Sequence, residues 1–271
     1  MYKLICIDID DTLINDKRQV TEGTKAALAA AIQRGVTVTL ATGRMHASAQ
    51  QLAKQMELNV PLISYQGSLI KNAMDGKVLY ERAVPEEATR IIFDFCEANG
   101  LHLQYYIQDQ LYTKADNERT RAYCELSNIP FTVEPDFSKL LASPSTKLLI
   151  YEDSDKLDEL MPEFARLLEG KNVHMTKSKP YFLEFTHKEG TKGQAVAHLA
   201  KHIGCELSEV IAIGDSWNDR DMLEVAGLGV AMGNAVDALK EIADYITLSN
   251  NEDGVKHVID KYVLNAVEAE K

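Results

Sequence analysis

Three short runs of apolar, largely β-branched residues each end in small polar or acidic residues, and this pattern limits the fold more than any other feature. Lys3–Ile9 runs into Asp8, Asp10, Asp11 and Thr12. Val36–Leu40 runs into Thr42, Gly43 and Arg44, and Val210–Ile213 into Gly214 and Asp215. Runs this short and this apolar suit strands buried on both faces of a parallel sheet. Between them lie helix-forming stretches, Thr21–Arg34 stopped by Gly35, Ala47–Glu57, Thr191–His202 and Asp219–Ala226, with further strands at Leu62–Tyr65 and Leu228–Ala231. Strand and helix in alternation predict an α/β protein with a doubly wound parallel sheet.

The texture changes after about Gly76. Leu101–Tyr106, Thr146–Tyr151 and Tyr181–Phe185 alternate in polarity, as strands covered by helices on one face do, and helical patterns fall at Glu86–Asn99 and Lys156–Leu168. We therefore expect a Rossmann-like core built from residues 1–81 and 188–271, with an inserted α+β cap domain at 82–187. Glu268–Lys271 reads as a frayed tail.

Composition removes several function classes. The net charge of −12, without a basic run, argues against nucleic acid as a partner. No stretch approaches about 20 continuous apolar residues, so no membrane partner is expected. The first residues meet acid too early for a signal peptide, which leaves the cytoplasm as the default location. Cys6, Cys96, Cys124 and Cys205 are scattered and read as reduced thiols.

In a doubly wound sheet, ligands bind beyond the carboxyl ends of the strands, where Asp8, Asp10, Asp11, Thr12, Thr42, Asp215, Asn218 and Asp219 gather. Carboxylates collected there repel one another unless a cation sits among them, and hard oxygen donors suit Mg²⁺. Asp8 and Asp10, two apart, suit attack on phosphorus by one carboxylate and proton transfer by the other. Taken singly, each Asp is more often a helix cap or a solvated turn residue.

In this order the residues resemble the haloacid dehalogenase superfamily of phosphatases, in its Cof-type branch with a C2B cap. Asp8-Ile9-Asp10-Asp11-Thr12-Leu13 resembles its first motif and Thr42-Gly43-Arg44 its second. Lys192-Gly193 resembles the third, and Gly214-Asp215-Ser216-Trp217-Asn218-Asp219 the fourth. The resemblance implies a phosphatase for a small phosphorylated metabolite, with Asp8 as nucleophile and Asp10 as general acid and base. It implies Mg²⁺ held by the Asp8 carboxylate, the Asp10 carbonyl and the Asp215 carboxylate. Thr42, the Gly43 amide, Lys192 and Asn218 would bind the phosphoryl oxygens, and Asp219 would orient ligands or Lys192. Arg44 and Glu184 are candidate substrate contacts, set against a salt bridge and a partly exposed strand residue. The family usually has Gly where this chain has Asp11; Asp tolerates left-handed backbone less well than Gly but better than most residues, and a solvent-facing role is expected for it rather than added charge beside the metal.

Other readings stay open at this level: a phosphomutase that returns the phosphate, a phospho-Asp signalling receiver, or a non-catalytic binding protein. His198 and His202 have i, i+4 spacing but lack the glutamate of a zinc helix, so a plain helix face is the better reading. Gly227, Gly229 and Gly233 have the wrong spacing for a dinucleotide fingerprint. Trp217 either shapes the site mouth or shields its loop.

Overall fold

The computed structural model describes residues 1–265; the tail expected at Glu268–Lys271 lies outside them. Along the chain come β1 (Leu4–Asp8), α1 (Glu22–Gln33), β2 (Thr37–Ala41), α2 (His46–Gln55), β3 (Pro61–Ser64), β4 (Leu69–Asn72) and β5 (Val78–Glu81). Next are α3 (Glu86–Asn99), β6 (Leu103–Ile107), β7 (Gln110–Thr113), α4 (Glu118–Ser127), β8 (Phe131–Val133), β9 (Lys147–Tyr151), α5 (Ser154–Leu167), β10 (Val173–Lys179) and β11 (Phe182–His187). The chain continues with α6 (Lys192–Ile203), β12 (Val210–Gly214), α7 (Arg220–Val225), β13 (Leu228–Ala231), α8 (Asp237–Lys240), β14 (Tyr245–Ile246) and α9 (Gly254–Ile259). Two compact units result. One comprises Met1–Gly43, Ala49–Tyr80 and the chain from Thr191 on; the other comprises Arg44–Ser48 and Glu81–Gly190.

The first unit holds, among the described residues, an eight-stranded sheet in the order β14-β13-β12-β1-β2-β3-β4-β5. It is parallel from β14 to β3, and β4 then pairs antiparallel with β3. From β1 the order runs outward through β2 and β3 on one side and through β12 and β13 on the other. The β1/β12 boundary is therefore the switch point where such sheets bind ligands. Leu4, Ile5, Cys6 and Ile7 are all fully buried, so both faces of β1 are covered. Burying each such Leu or Ile side chain stabilises the fold by roughly 1.5–3 kcal/mol, which anchors the strand whose end carries Asp8.

Capping explains where the flanking helices start. The Thr21 side chain accepts the Thr24 N–H ahead of α1, and the Thr191 side chain accepts the Gln194 N–H ahead of α6.

The second unit carries a six-stranded sheet, β10-β11-β9-β6-β7-β8, antiparallel except at β7–β8. Leu103, Tyr105, Ile107, Leu148, Ile150, Leu183 and Phe185 form one face and pack with Ala88, Ile92, Leu157 and Phe164 from α3 and α5. By alternation Gln104, Tyr106, Lys147 and Glu184 belong to the opposite face. The strands β4, β5, β7, β8 and β10 carry no sequence expectation. Most are short or partly exposed, and their apolar alternation is too brief to stand out.

Candidate active site

Every residue described in this site comes from the first unit. β1 ends at Asp8, which is only 6% exposed, whereas Asp10 lies open to solvent. The two carboxylates of the first loop thus sit in different environments, as two different acid–base roles require. Asp11 takes the left-handed conformation (φ 59°, ψ 8°), so the residue standing where the family has Gly adopts the backbone that a Gly would.

Lys192 is the first residue of α6 and is 1% exposed. Its Nζ donates to Asp8 Oδ1 and to Asp219 Oδ1, each at 2.6 Å. Asp219 is fully committed, because its Oδ2 accepts the N–H groups of Asp215 and Ser216, both at 3.0 Å. The start of α6 is committed as well. Gly193 N–H donates to Asp221 Oδ2 at 2.8 Å, so this N–H is already taken at the helix end. Lys192 supplies buried positive charge between Asp8 and Asp219.

Thr12 donates its hydroxyl to Asp215 Oδ1 at 2.8 Å, tying the first loop to the end of β12. Thr42, buried, follows β2; its N–H donates to the Ile63 carbonyl, and its carbonyl accepts the Gln66 N–H. Gln66 sits over Gly43, where a Cβ would lie 2.4 Å from its Nε2, and Gln66 Oε1 accepts from Asn218 Nδ2 at 3.0 Å. Tyr65, Gln66 and Gly67 all have positive φ (52°, 60° and 107°), a run of strained backbone of the kind that collects at functional sites. Gly67 must be glycine on space alone, since a Cβ would lie 2.1 Å from the Thr191 carbonyl oxygen.

Electrostatics follow from burial. Asp8 is raised well above the ordinary carboxylate value, first by burial and then by Asp219 and Asp215, against the lowering effect of Lys192. Asp215 is pushed up to about 6, chiefly by burial and with help from Asp219, while the Thr12 hydroxyl holds it down. Burial disfavours the Lys192 ammonium, but Asp219 and Asp8 outweigh it and the amine is held above its usual value. The acids want a cation, and one lysine does not fully satisfy them.

Asp8, Asp215 and Asp219 each offer an oxygen within 4.8 Å of the others, a spacing that suits a metal ion. With both Asp219 oxygens engaged, the second oxygens of Asp8 and Asp215 are the better ligands. An all-oxygen, partly open donor set of this kind fits Mg²⁺. Among the described residues no histidine joins such a cluster, and His198 instead packs its ring against Tyr80, with centroids 4.6 Å apart. All four cysteines are buried free thiols.

The sequence reading named Asp8, Asp10, Lys192, Thr42, Gly43, Asn218, Asp215 and Asp219, and all lie in the first unit. Arg44 and Glu184 belong to the second, where Glu184 Oε1 accepts from Lys147 Nζ at 3.2 Å, both side chains buried. Gln66, Asp221 and Asn234 were missed. Each is a single polar residue in a loop or first turn, and nothing in the sequence separates it from solvated neighbours.

Fold and site together are those of a hydrolase, with buried carboxylates beside a buried lysine where the parallel strands end. Comparison with known proteins agrees: the family model of haloacid dehalogenase-like hydrolases matches residues 5–259. A Streptococcus pyogenes serotype M6 protein bearing a provisional phosphatase name is 35% identical, over 97% of this chain and 99% of its own. The 5-amino-6-(5-phospho-D-ribitylamino)uracil phosphatase YcsE of Bacillus subtilis is 31% identical, over 97% and 96%. The crystal structure of TM0651 from Thermotoga maritima superposes with a TM-score of 0.89 at 33% identity, covering 96% of this chain and 97% of that one. The chain belongs to the haloacid dehalogenase-like hydrolase family, and it is an enzyme of that family's phosphatase branch. Among the described residues no helix is long and apolar enough to cross a membrane.

Proposed function

We propose that this enzyme is a Mg²⁺-dependent phosphatase that hydrolyses small phosphomonoesters, sugar and polyol phosphates foremost, through an aspartyl-phosphate on Asp8. The observation that carries the reading is the buried Asp8 carboxylate held at 2.6 Å by Lys192, with Asp215 and Asp219 beside it in the segment that follows the neighbouring strand β12. The ribityl phosphate in the name of the Bacillus subtilis relative is an ester of this chemical class.

In the first half-reaction an Asp8 oxygen attacks phosphorus and the bond to the leaving oxygen breaks. Asp10, as the acid, gives that oxygen its proton. In the second, Asp10 as the base takes a proton from water, whose oxygen attacks phosphorus, and inorganic phosphate leaves as Asp8 is restored. Lys192, Thr42, the Gly43 amide and Asn218 meet the phosphoryl oxygens, where positioning and charge neutralisation supply most of the rate. Mg²⁺, held by the Asp8 and Asp215 carboxylates and the Asp10 carbonyl, would offset the repulsion between anionic Asp8 and anionic phosphate. Asp219 keeps Lys192 and the Asp215 loop in place. Residues 82–187 are assigned as the C2B-type cap, with Arg44 and Glu184 as candidate contacts for the alcohol part of the ester, and the protein as cytoplasmic.

The test is phosphate release from a panel of sugar, polyol, cofactor and nucleotide monoesters, with Mg²⁺ and then with EDTA. Release that needs Mg²⁺ and ranks sugar and polyol esters first is expected. Isomerised ester in place of free phosphate would replace this reading with a mutase, and no turnover of any ester would overturn it.

A further inference from the structure

Among the ties on the first loop of the site is an amide side chain that the chemistry above does not use. Asn234 Nδ2 donates to the Asp11 carbonyl at 2.8 Å, and Asn234 Oδ1 accepts the Asn250 N–H at 2.9 Å. Asn250, itself buried, passes the tie on: its Nδ2 donates to the Ile14 carbonyl at 3.2 Å and to Asp16 Oδ1 at 3.3 Å. The stretch Asp11–Asp16 therefore hangs from the segments that follow β13 and β14. The segment after β13 also returns to the acidic cluster, where Met232 N–H donates to the Gly214 carbonyl and Val236 N–H to the Asp215 carbonyl, both at 2.9 Å.

Asp11 is a residue that needs holding. Left-handed backbone costs a side chain of this kind on the order of 1 kcal/mol, and a return to the right-handed region would turn the peptide that carries the Asp10 carbonyl. A hydrogen bond of ordinary strength to the Asp11 carbonyl is enough to offset that cost.

We propose that Asn234 is a positioning residue for the cation site. By fixing the Asp11 carbonyl on one side and, through its own segment, the Asp215 main chain on the other, it sets the spacing of the Asp10 carbonyl and the Asp8 and Asp215 carboxylates. This inference rests on reading the site as a Mg²⁺-dependent phosphatase centre.

The experiment is a calorimetric Mg²⁺ titration of the metal-free enzyme without substrate. It is repeated by emission from Trp217, the protein's single tryptophan, two residues from Asp215. Asn234→Ala removes both bonds, and its Kd for Mg²⁺ should rise tenfold or more, as it does when groups that orient metal ligands are lost. At saturating Mg²⁺ its KM for the ester should stay near the wild-type value while kcat falls. Asn234→Asp keeps the acceptor for Asn250 but cannot donate to the Asp11 carbonyl. Its added negative charge alone would tighten Mg²⁺, so weaker binding here separates positioning from simple electrostatics. Should Asn234→Ala fail to fold, Asn234→Asp carries the test.

Wild-type enzyme that binds Mg²⁺ and releases phosphate, with both variants binding Mg²⁺ within twofold of it, would overturn the inference and leave the proposed function standing. Wild-type enzyme that neither binds Mg²⁺ nor releases phosphate would overturn both.

Discussion

Lys192 Nζ lies 2.6 Å from Asp219 Oδ1, and neither side chain has any exposed surface. A pair this deep owes its stability to the completeness of its bonding, since each charge is costly without the other. Asp219→Ala should therefore destabilise the protein by about 3 kcal/mol, because the buried Lys192 charge keeps only Asp8 of its two carboxylate partners and two backbone N–H groups lose theirs. Asp219→Asn can still accept those N–H groups but turns an amide NH₂ toward the ammonium, and it should cost nearly as much. Urea denaturation of both variants checks this, and a loss below about 1 kcal/mol in either would show that Asp219 does not hold the lysine.

The Asp215 carboxyl makes the opposite forecast. Its value of about 6 in the fold exceeds the ordinary 3.8, so the folded state binds more protons across that window and loses stability as pH rises through it. Metal-free Asp215→Asn should then be more stable than wild type at pH 7.5, and no more stable near pH 4. After allowance for the part of the group open to water, the gain is about 1 kcal/mol, or roughly 2–4 °C in Tm. Activity and Mg²⁺ binding should vanish in the same variant, a site bought at the expense of stability. Thermal melts in EDTA at the two pH values decide it, and a Tm at or below wild type at pH 7.5 would count against the electrostatic account.

Thr12→Val keeps the volume of a buried side chain and deletes the hydroxyl that donates to Asp215. Without that bond the Asp215 carboxyl rises further, so Mg²⁺ must compete with a proton up to higher pH. The Mg²⁺ concentration for half-maximal activity should rise about tenfold at pH 6. The deficit should shrink by pH 8, where the acid is ionised in both proteins. A deficit independent of pH would mean that Thr12 shapes the loop rather than the charge.

Gly67→Ala tests the close approach behind the strained turn. A Cβ there would lie 2.1 Å from the Thr191 carbonyl oxygen, so the chain must move where α6 begins and Lys192 is placed. We expect a loss of about 2 kcal/mol or more and a kcat at least tenfold lower. Gly35→Ala is the control, for it shares a positive φ (81°) but meets nothing within 4 Å. It should cost only about 1 kcal/mol and leave kcat unchanged. Equal effects in the two variants would remove the steric argument.

Much of this was legible before any coordinates. The runs that became β1, β2 and β12 are apolar on both faces because both faces are covered, and their acids stand out by ending them. Asp8, Thr42, Lys192 and Asp215 come from distant parts of the chain, yet ordered motifs sufficed to group them. The supports were not legible. Gln66 and Asn234 act through one or two hydrogen bonds fixed by tertiary geometry, and neither has a sequence period to betray it. Asp11 stands out in the sequence only as a departure from Gly, and its left-handed backbone goes with the Asn234 bond to its carbonyl, a tertiary contact. Asp221 is hidden in the same way, although it occupies the Gly193 amide at the start of α6.

The central claim is that phosphate passes through Asp8, and trapping the phosphoenzyme tests it most directly. Enzyme bearing Asp10→Asn, which activates water poorly, is mixed with Mg²⁺ and a ³²P-labelled aryl monoester, whose leaving group needs no acid, then quenched in acid and digested. The account predicts label on the peptide that contains Asp8, none after the further change Asp8→Asn, and none in EDTA. Label on another residue, or an Asp8→Asn enzyme within a few-fold of wild-type phosphate release, would contradict it.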